Sequence, residues 1–206
     1  MSEIEIETPH GPARAHVHPA SAPRGALVLG HGAGGGVGAR DLVAAARVAN
    51  EEHLSAVLVE QPYRVAGRRA PAPAPQLDAA WTAVCAHLLA GPLAGLPLVT
   101  GGRSSGARVA CRTADATGAA GVLCLAFPLQ PRPRRGASAP PPGELGELEA
   151  VTVPVLVVQG ERDPFGIPPP APGRTVVRVA GDHALRGDLD AVREAIRGWL
   201  RRILDM

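Results

Sequence analysis

The sequence contains no lysine: all 21 basic side chains among its 206 residues are arginine. Together with 25 glycines, 22 prolines and abundant alanine, this is the pattern of GC-rich codon usage, so an isolated arginine says little by itself. Aromatic residues make up only 2% of the chain, so the core must be filled by Ala, Val, Leu and Ile, with Trp81, Trp199, Phe127, Phe165 and Tyr63 as its few large pieces. Cysteine is scarce as well. Cys85, Cys111 and Cys124 lie in apolar segments without a C-x-x-C, which argues against a disulfide framework and for free thiols in a reducing compartment. The N-terminal MSEIEIETPHG has neither a basic start nor an apolar h-region, so no signal peptide is expected. No apolar run approaches the ~20 residues of a membrane span. A cytoplasmic protein without a membrane partner is the expectation. A net charge of +2, with no helix carrying a dense basic stripe, argues against a nucleic-acid partner.

What is present suits one sizeable core: 46% of residues are hydrophobic and 19% charged, which fits a single domain over residues 1–206. Residues 3–18 alternate, with Ile4 and Ile6 against Glu3, Glu5 and Glu7, then Ala13, Ala15 and Val17 against Arg14, His16 and His18. A turn cluster, Pro9-His10-Gly11-Pro12, separates the halves, so an antiparallel hairpin with one wet face is predicted. His16 and His18 share the wet face, but no carboxylate or third histidine close in sequence completes a metal site, and a solvated strand face is the reading.

Ala26-Leu27-Val28-Leu29 reads as a strand buried on both faces and runs into GHGAGGGVG, residues 30–38. Two readings compete there. Gly30, Gly32 and Gly35 satisfy G-x-G-x-x-G before a helix over Ala39 to Glu52, and Glu60 ends the next strand, where a ribose-binding acid would sit. The alternative is an HG-x-G oxyanion loop, in which the Ala33 N–H points at a reacting carbonyl and His31 props the loop. The loop alone does not decide. A Pro-Ala stretch carrying Arg64, Arg68 and Arg69 follows, expected to be a semi-rigid surface flap, and then a helix over Leu77 to Leu89.

The organising segment is Pro97 to Ala114, in which Leu98-Val99-Thr100 meets Gly102-Arg103-Ser104-Ser105-Gly106 and then helical apolar spacing at Ala107, Ala110, Cys111 and Ala114. Strand, sharp turn and helix around G-x-S-x-G form a nucleophile elbow, with Ser104 in register and the Ser105 N–H as an oxyanion donor. In an abundantly glycine-containing chain the bare pattern is weak, and a loop serine is the bland reading. Gly121 to Phe127 is the next buried strand. The low-complexity stretch after it holds Arg132, Arg134 and Arg135 and is too short for a cap domain.

Val153 to Gln159 leads into GERDPFG, which places Asp163 in a turn after a late strand; capping the turn before Pro164 is its bland reading. Thr175 to Ala180 precedes GDHAL and His183, and an amphipathic helix from Asp188 to Leu204 closes the chain, with Leu189, Val192, Ile196, Leu200 and Ile203 inward. Ser104, Asp163 and His183 each follow a predicted strand, in the order Ser, Asp, His. In a parallel sheet all three emerge on one edge. A dinucleotide-binding domain explains the first loop and Glu60 but not this agreement.

The segments GHGAGGG, EQPYR, GGRSSGAR, GERDPFG and GDHAL resemble those of small α/β-hydrolases related to dienelactone hydrolase. The resemblance is closest to the branch containing the hydrolase-like domain of a subunit of the non-specific-lethal histone acetyltransferase complex and its testis-expressed relative. It implies an α/β-hydrolase fold: a mainly parallel sheet with helices on both faces, an N-terminal antiparallel hairpin and no large cap. It further implies a serine hydrolase of esters or thioesters with Ser104, Asp163 and His183 as the triad. Dienelactone hydrolases use cysteine where this elbow has serine, so their reaction does not transfer with the fold. Some members of such families serve as interaction modules. No metal or cofactor is expected, the partner is a small-molecule ester, and the sequence leaves the oligomeric state open. Arg64, Arg68, Arg69 and Arg103 are candidate contacts for a polar or anionic substrate group.

Overall fold

The computed structural model describes residues 2–130 and 145–204. Strands β1 (Ser2–Ile6) and β2 (Ala13–His18) form the expected antiparallel hairpin, and β2 joins it to the sheet by pairing antiparallel with β4 (Leu54–Glu60). From there the sheet is parallel through β3 (Gly25–Gly30), β5 (Leu98–Arg103), β6 (Gly121–Leu125), β7 (Val155–Gly160) and β8 (Arg174–Val179). The order of the eight strands is β1-β2-β4-β3-β5-β6-β7-β8.

Side chains alternate across each strand, so β3 sends Leu27 and Leu29 to one layer and Ala26 and Val28 to the other. The first layer is closed by α1 (Arg40–Glu51) and α7 (Leu189–Leu204), through Leu42, Ala45 and Val48 and through Val192, Ile196, Trp199 and Leu200. The second is closed by α3 (Ala74–Ala90), through Leu77, Trp81, Val84 and Leu88, and by α4 (Ser105–Arg112), through Ala107, Ala110 and Cys111. Each large apolar side chain so enclosed contributes about 1.5–3 kcal/mol relative to exposure. With both faces covered, the parallel strands need no polar face, which is why they read as continuous apolar runs. The three cysteines are buried free thiols.

Four details differ from the sequence expectation. Helix α3 begins at Ala74, ahead of the expected Leu77, because Pro75 falls in its first turn, where a missing N–H costs nothing. One-turn helices α2 (Pro62–Val65) and α5 (Ala114–Thr117) occupy stretches too short to show a period. On α7 it is Trp199 that completes the buried stripe, while Leu189 is only partly covered. The fourth concerns the wet face of the hairpin, where carboxylates do lie near a histidine: His16 stands 3.5 Å from both Glu3 and Glu60, which come from the strands on either side. A five-residue helix, α6 (Leu145–Glu149), opens the second described stretch. Arg132, Arg134 and Arg135 lie outside the described residues. Among the described residues no large cap covers the sheet edge, and no helix is long and apolar enough to cross a membrane.

Candidate active site

The parallel register puts the ends of β3, β5, β7 and β8 on one edge, and the residues after them meet there. Ser104 follows β5 with φ +53° and ψ −114°, a backbone region that costs a non-glycine residue about 1–3 kcal/mol. The strain persists because the neighbours fix it: the Ser104 N–H donates to the Leu125 carbonyl at 2.9 Å. The flanking glycines have a packing reason. A Cβ on Gly102 would stand 2.5 Å from the Gly30 carbonyl oxygen, and one on Gly106 would collide with that same carbonyl and lie 2.8 Å from the His31 oxygen. The elbow and the end of β3 are therefore in backbone contact.

Ser104, His183 and Asp163 form one hydrogen-bonded line. Ser104 Oγ is 3.0 Å from His183 Nε2, and His183 Nδ1 is 2.8 Å from Asp163 Oδ2. An ionised carboxylate only accepts, so Nδ1 carries the proton and Nε2 presents a lone pair to the serine hydroxyl. Asp163 is buried and fully engaged, since Oδ1 accepts the Phe165 N–H at 2.9 Å and Oδ2 also accepts from Gln159 Nε2 at 2.8 Å. The Phe165 ring lies against the imidazole, with centroids 4.4 Å apart. Neither Gln159 nor Phe165 received a role from the sequence, although Phe165 stands within the GERDPFG segment. A phenylalanine beside a turn and a glutamine inside an apolar strand carry no signal without the fold.

The HGAG loop is held by three side-chain contacts. His31 Nε2 accepts the Gln61 N–H at 3.1 Å, so its proton resides on Nδ1, which donates to the Gly32 carbonyl at 2.9 Å. That carbonyl belongs to the same planar peptide as the Ala33 N–H, so holding one aims the other in the opposite direction. Tyr63 Oη donates to the Ala33 carbonyl at 3.0 Å and fixes the next peptide. The Ser105 N–H is the first of α4 and has no partner within the helix, which leaves it free for an incoming oxygen. Burial holds the His31 imidazole below the usual histidine range, against the raising effect of its bond to Gly32, so it stays neutral and keeps its acceptor.

The glycine-rich loop departs from the geometry of the dinucleotide fingerprint. Helix α1 begins at Arg40, well beyond Gly35, and Glu60 faces His16 and Arg14 on the hairpin side. The four candidate arginines are distributed unevenly. Arg64 Nη1 donates to the Arg68 carbonyl at 3.3 Å within its own loop, and Arg69 is exposed. Arg68 lines a recess of about 110 Å³ with His10, Gln61, Tyr63 and Leu77. Gln61, Tyr63 and Leu77 also line a narrow pocket that reaches Ser105 and Gly106. Arg103 points elsewhere: Nε is 2.9 Å from Asp41 Oδ2 and Nη2 donates to the His183 carbonyl at 2.9 Å, which engages it in the framework of the site.

A mostly parallel eight-stranded sheet with an elbow serine after β5, an acid after β7 and a histidine after β8 has the architecture of the α/β-hydrolase fold. The chain belongs to this family: the model described as Alpha/beta hydrolase domain matches residues 23–175. XC6422 from Xanthomonas campestris, described as an α/β serine hydrolase without lid, is similar over 98% of this chain and 94% of its own, at 21% identity and a TM-score of 0.72. Est1E from Butyrivibrio proteoclasticus is similar over the full length of both chains, at 15% identity and a TM-score of 0.75. Dienelactone hydrolase from Anabaena variabilis is similar over 98% of this chain and 96% of its own, at 15% identity and a TM-score of 0.74. No curated protein sequence matches significantly. The family match ends before His183, so it is the structure that brings the histidine to the elbow.

Proposed function

We propose that the protein is a serine-dependent hydrolase of carboxylic esters or thioesters, with residues 1–206 acting as one cytoplasmic domain on a small-molecule substrate. The observation that carries this reading is the line from Ser104 Oγ through His183 to Asp163. His183 Nε2 takes the hydroxyl proton as Ser104 Oγ attacks the carbonyl carbon, and Asp163 holds the imidazole in the required tautomer and balances the imidazolium. The developing oxyanion meets the N–H groups of Ser105 and Ala33. His183 then returns the proton to the departing alcohol or thiol, leaving an acyl-enzyme that water opens by the same relay. The route calls on no metal or cofactor. The XC6422 neighbour is described as a serine hydrolase, which supports this chemistry.

Within the family, the quoted segments favour kinship with the branch containing the hydrolase-like domain of the non-specific-lethal complex subunit, in which a fold can serve as an interaction module. Labelling with a fluorophosphonate, followed by mass spectrometry of the adduct, separates the two. The hydrolase reading expects one adduct, on Ser104, absent in Ser104→Ala; an unlabelled folded protein, or an adduct on Ser105, overturns it. Arg64, Arg68 and Arg69 are proposed contacts for an anionic substrate group. A carboxylated ester is then expected to be turned over faster than its neutral match at low salt, with the advantage shrinking at high salt and in Arg68→Ala/Arg69→Ala. Equal kcat/KM for the two esters at low salt removes that role.

A further inference from the structure

The residue just before the elbow serine is joined to the loop that carries the histidine. Arg103 ends β5, and its Nη2 donates to the main-chain carbonyl of His183 at 2.9 Å across a separation of 80 residues. The other side of the guanidinium is held by Asp41, in the first turn of α1, whose Oδ2 lies 2.9 Å from Arg103 Nε. Asp41 is only 1% exposed, and its Oδ1 accepts the Leu42 N–H at 3.0 Å, so the carboxylate is a fixed post rather than a surface partner. A buried carboxylate that loses its cation is strongly disfavoured, so the ion pair holds together, and the planar guanidinium carries that constraint to the His183 carbonyl it bonds.

The bond reaches an irregular loop. Around His183 the backbone passes through Gly181 at φ +126° and Leu185 at φ +49°, and it has no helix or strand of its own. Asp163 tethers the imidazole at Nδ1, and Arg103 tethers the peptide of the same residue, in a loop whose Gly181 carbonyl also accepts the Arg162 N–H. Because Arg103 precedes Ser104 in the chain, nucleophile and base are referenced to the same end of β5.

We propose that Arg103, braced by Asp41, is a positioning residue that sets the distance between Ser104 and His183. This rests on the serine-hydrolase reading and adds to it a group that touches neither substrate nor reacting atoms. A displacement of about 1 Å at a reacting contact lowers rates by roughly 10².

The experiment is active-site titration with a fluorophosphonate on the wild type, Arg103→Ala, Arg103→Lys and Asp41→Asn, read as two quantities: the fraction of chains finally labelled and the rate constant of labelling. Positioning predicts a final fraction near one per folded chain with a rate constant lowered roughly 10²-fold in Arg103→Ala, and kcat lowered with KM little changed. Arg103→Lys and Asp41→Asn should fall between wild type and Arg103→Ala. If Arg103→Ala fails to fold, these two variants decide. A cleft of about 350 Å³ lined by Gly35, Ala39, Arg40, Asp41, Arg186 and Arg103 itself gives small solutes access to this position. Added methylguanidinium should therefore raise the rate of Arg103→Ala and leave Ser104→Ala silent. A merely structural role predicts instead a lower labelled fraction at an unchanged rate constant, and that result, or wild-type rates in all three variants, overturns the proposal. A wild type that takes no label at Ser104 overturns the hydrolase reading and this inference together, whereas a labelled wild type with indifferent Arg103 variants overturns this inference alone.

Discussion

Gln159 Nε2 lies 2.8 Å from Asp163 Oδ2, the same oxygen that receives the His183 Nδ1–H at 2.8 Å. The amide is fully buried at the end of β7 and also stands 3.0 Å from the Phe127 carbonyl and 2.9 Å from the Gly166 carbonyl. It ties the turn from Asp163 to Gly166 to Phe127, just after β6, while supplying the carboxylate with a second donor. Exchanging this amide for a carboxyl puts two like charges on one site, where one of them must be driven to higher pKa. Gln159→Glu is therefore expected to move the acid limb of the kcat/KM profile to higher pH and to lower stability, whereas Gln159→Leu leaves buried acceptors unpaired, at about 1–3 kcal/mol each. Paired pH–rate profiles and thermal melts check this; an acid limb unmoved in Gln159→Glu would show that the amide does not influence the carboxylate.

Removal of the Ser104 hydroxyl should abolish chemistry without harming the fold. Ser104→Ala is expected to lose roughly 10⁴ or more in ester turnover with little change in Tm. Ser104→Gly should be equally inactive yet melt above Ser104→Ala, since glycine adopts φ +53° without strain. Calorimetry of the two inactive variants separates strain from function, and equal Tm values would mean that the elbow stores none.

Substitutions at two glycines of the site region should differ sharply. Gly106→Ala drives a Cβ into the Gly30 carbonyl, backbone against backbone, and is expected to cost about 1–3 kcal/mol or more and to reduce labelling. Gly36→Ala, where an added Cβ meets no atom within 4 Å, should leave Tm nearly unchanged. Similar melting points for the pair would contradict the close approach of elbow and loop.

A pH signature follows from His31. Burial lowers its pKa in the folded chain, so in mildly acidic solution the unfolded chain, with an ordinary pKa near 6.5, binds a proton that the folded chain does not. Its contribution to stability is thus fully present above about pH 6.5 and declines as the pH falls through the unfolded value towards the lower folded one. His31→Gln should flatten the fall in Tm between about pH 7 and 5, though not remove it, because His18 is also lowered by burial. The variant should also turn over ester more slowly at every pH, as the Gly32–Ala33 peptide loses its hold. A Tm profile parallel to that of the wild type would count against the buried neutral imidazole.

Much of the site was legible before folding because the information was local or ordinal. The elbow is a five-residue steric device, and buried parallel strands must be apolar throughout, so both show directly in the letters. The order Ser, Asp, His, each after such a strand, places three residues on one edge without any knowledge of their contacts. The competing dinucleotide reading survived on the glycine loop alone, since glycines report backbone freedom and not what that freedom serves. It fell where Glu60 turned out to face the hairpin.

The sequence by itself determined the layered parallel fold, the edge on which the candidate residues stand, and Ser104, Asp163 and His183 as the residues to watch, because alternation, turn sterics and strand order act over a few residues each. Only the tertiary structure decided the brace around them: Gln159 on the Phe127 carbonyl, Tyr63 on the Ala33 carbonyl, and Arg103 between Asp41 and His183. These contacts join side chains to partners on other strands, loops and helices, with polar groups that any surface might carry. Their partners are chosen by where packing of the apolar layers brings the backbone, and no local pattern records that choice.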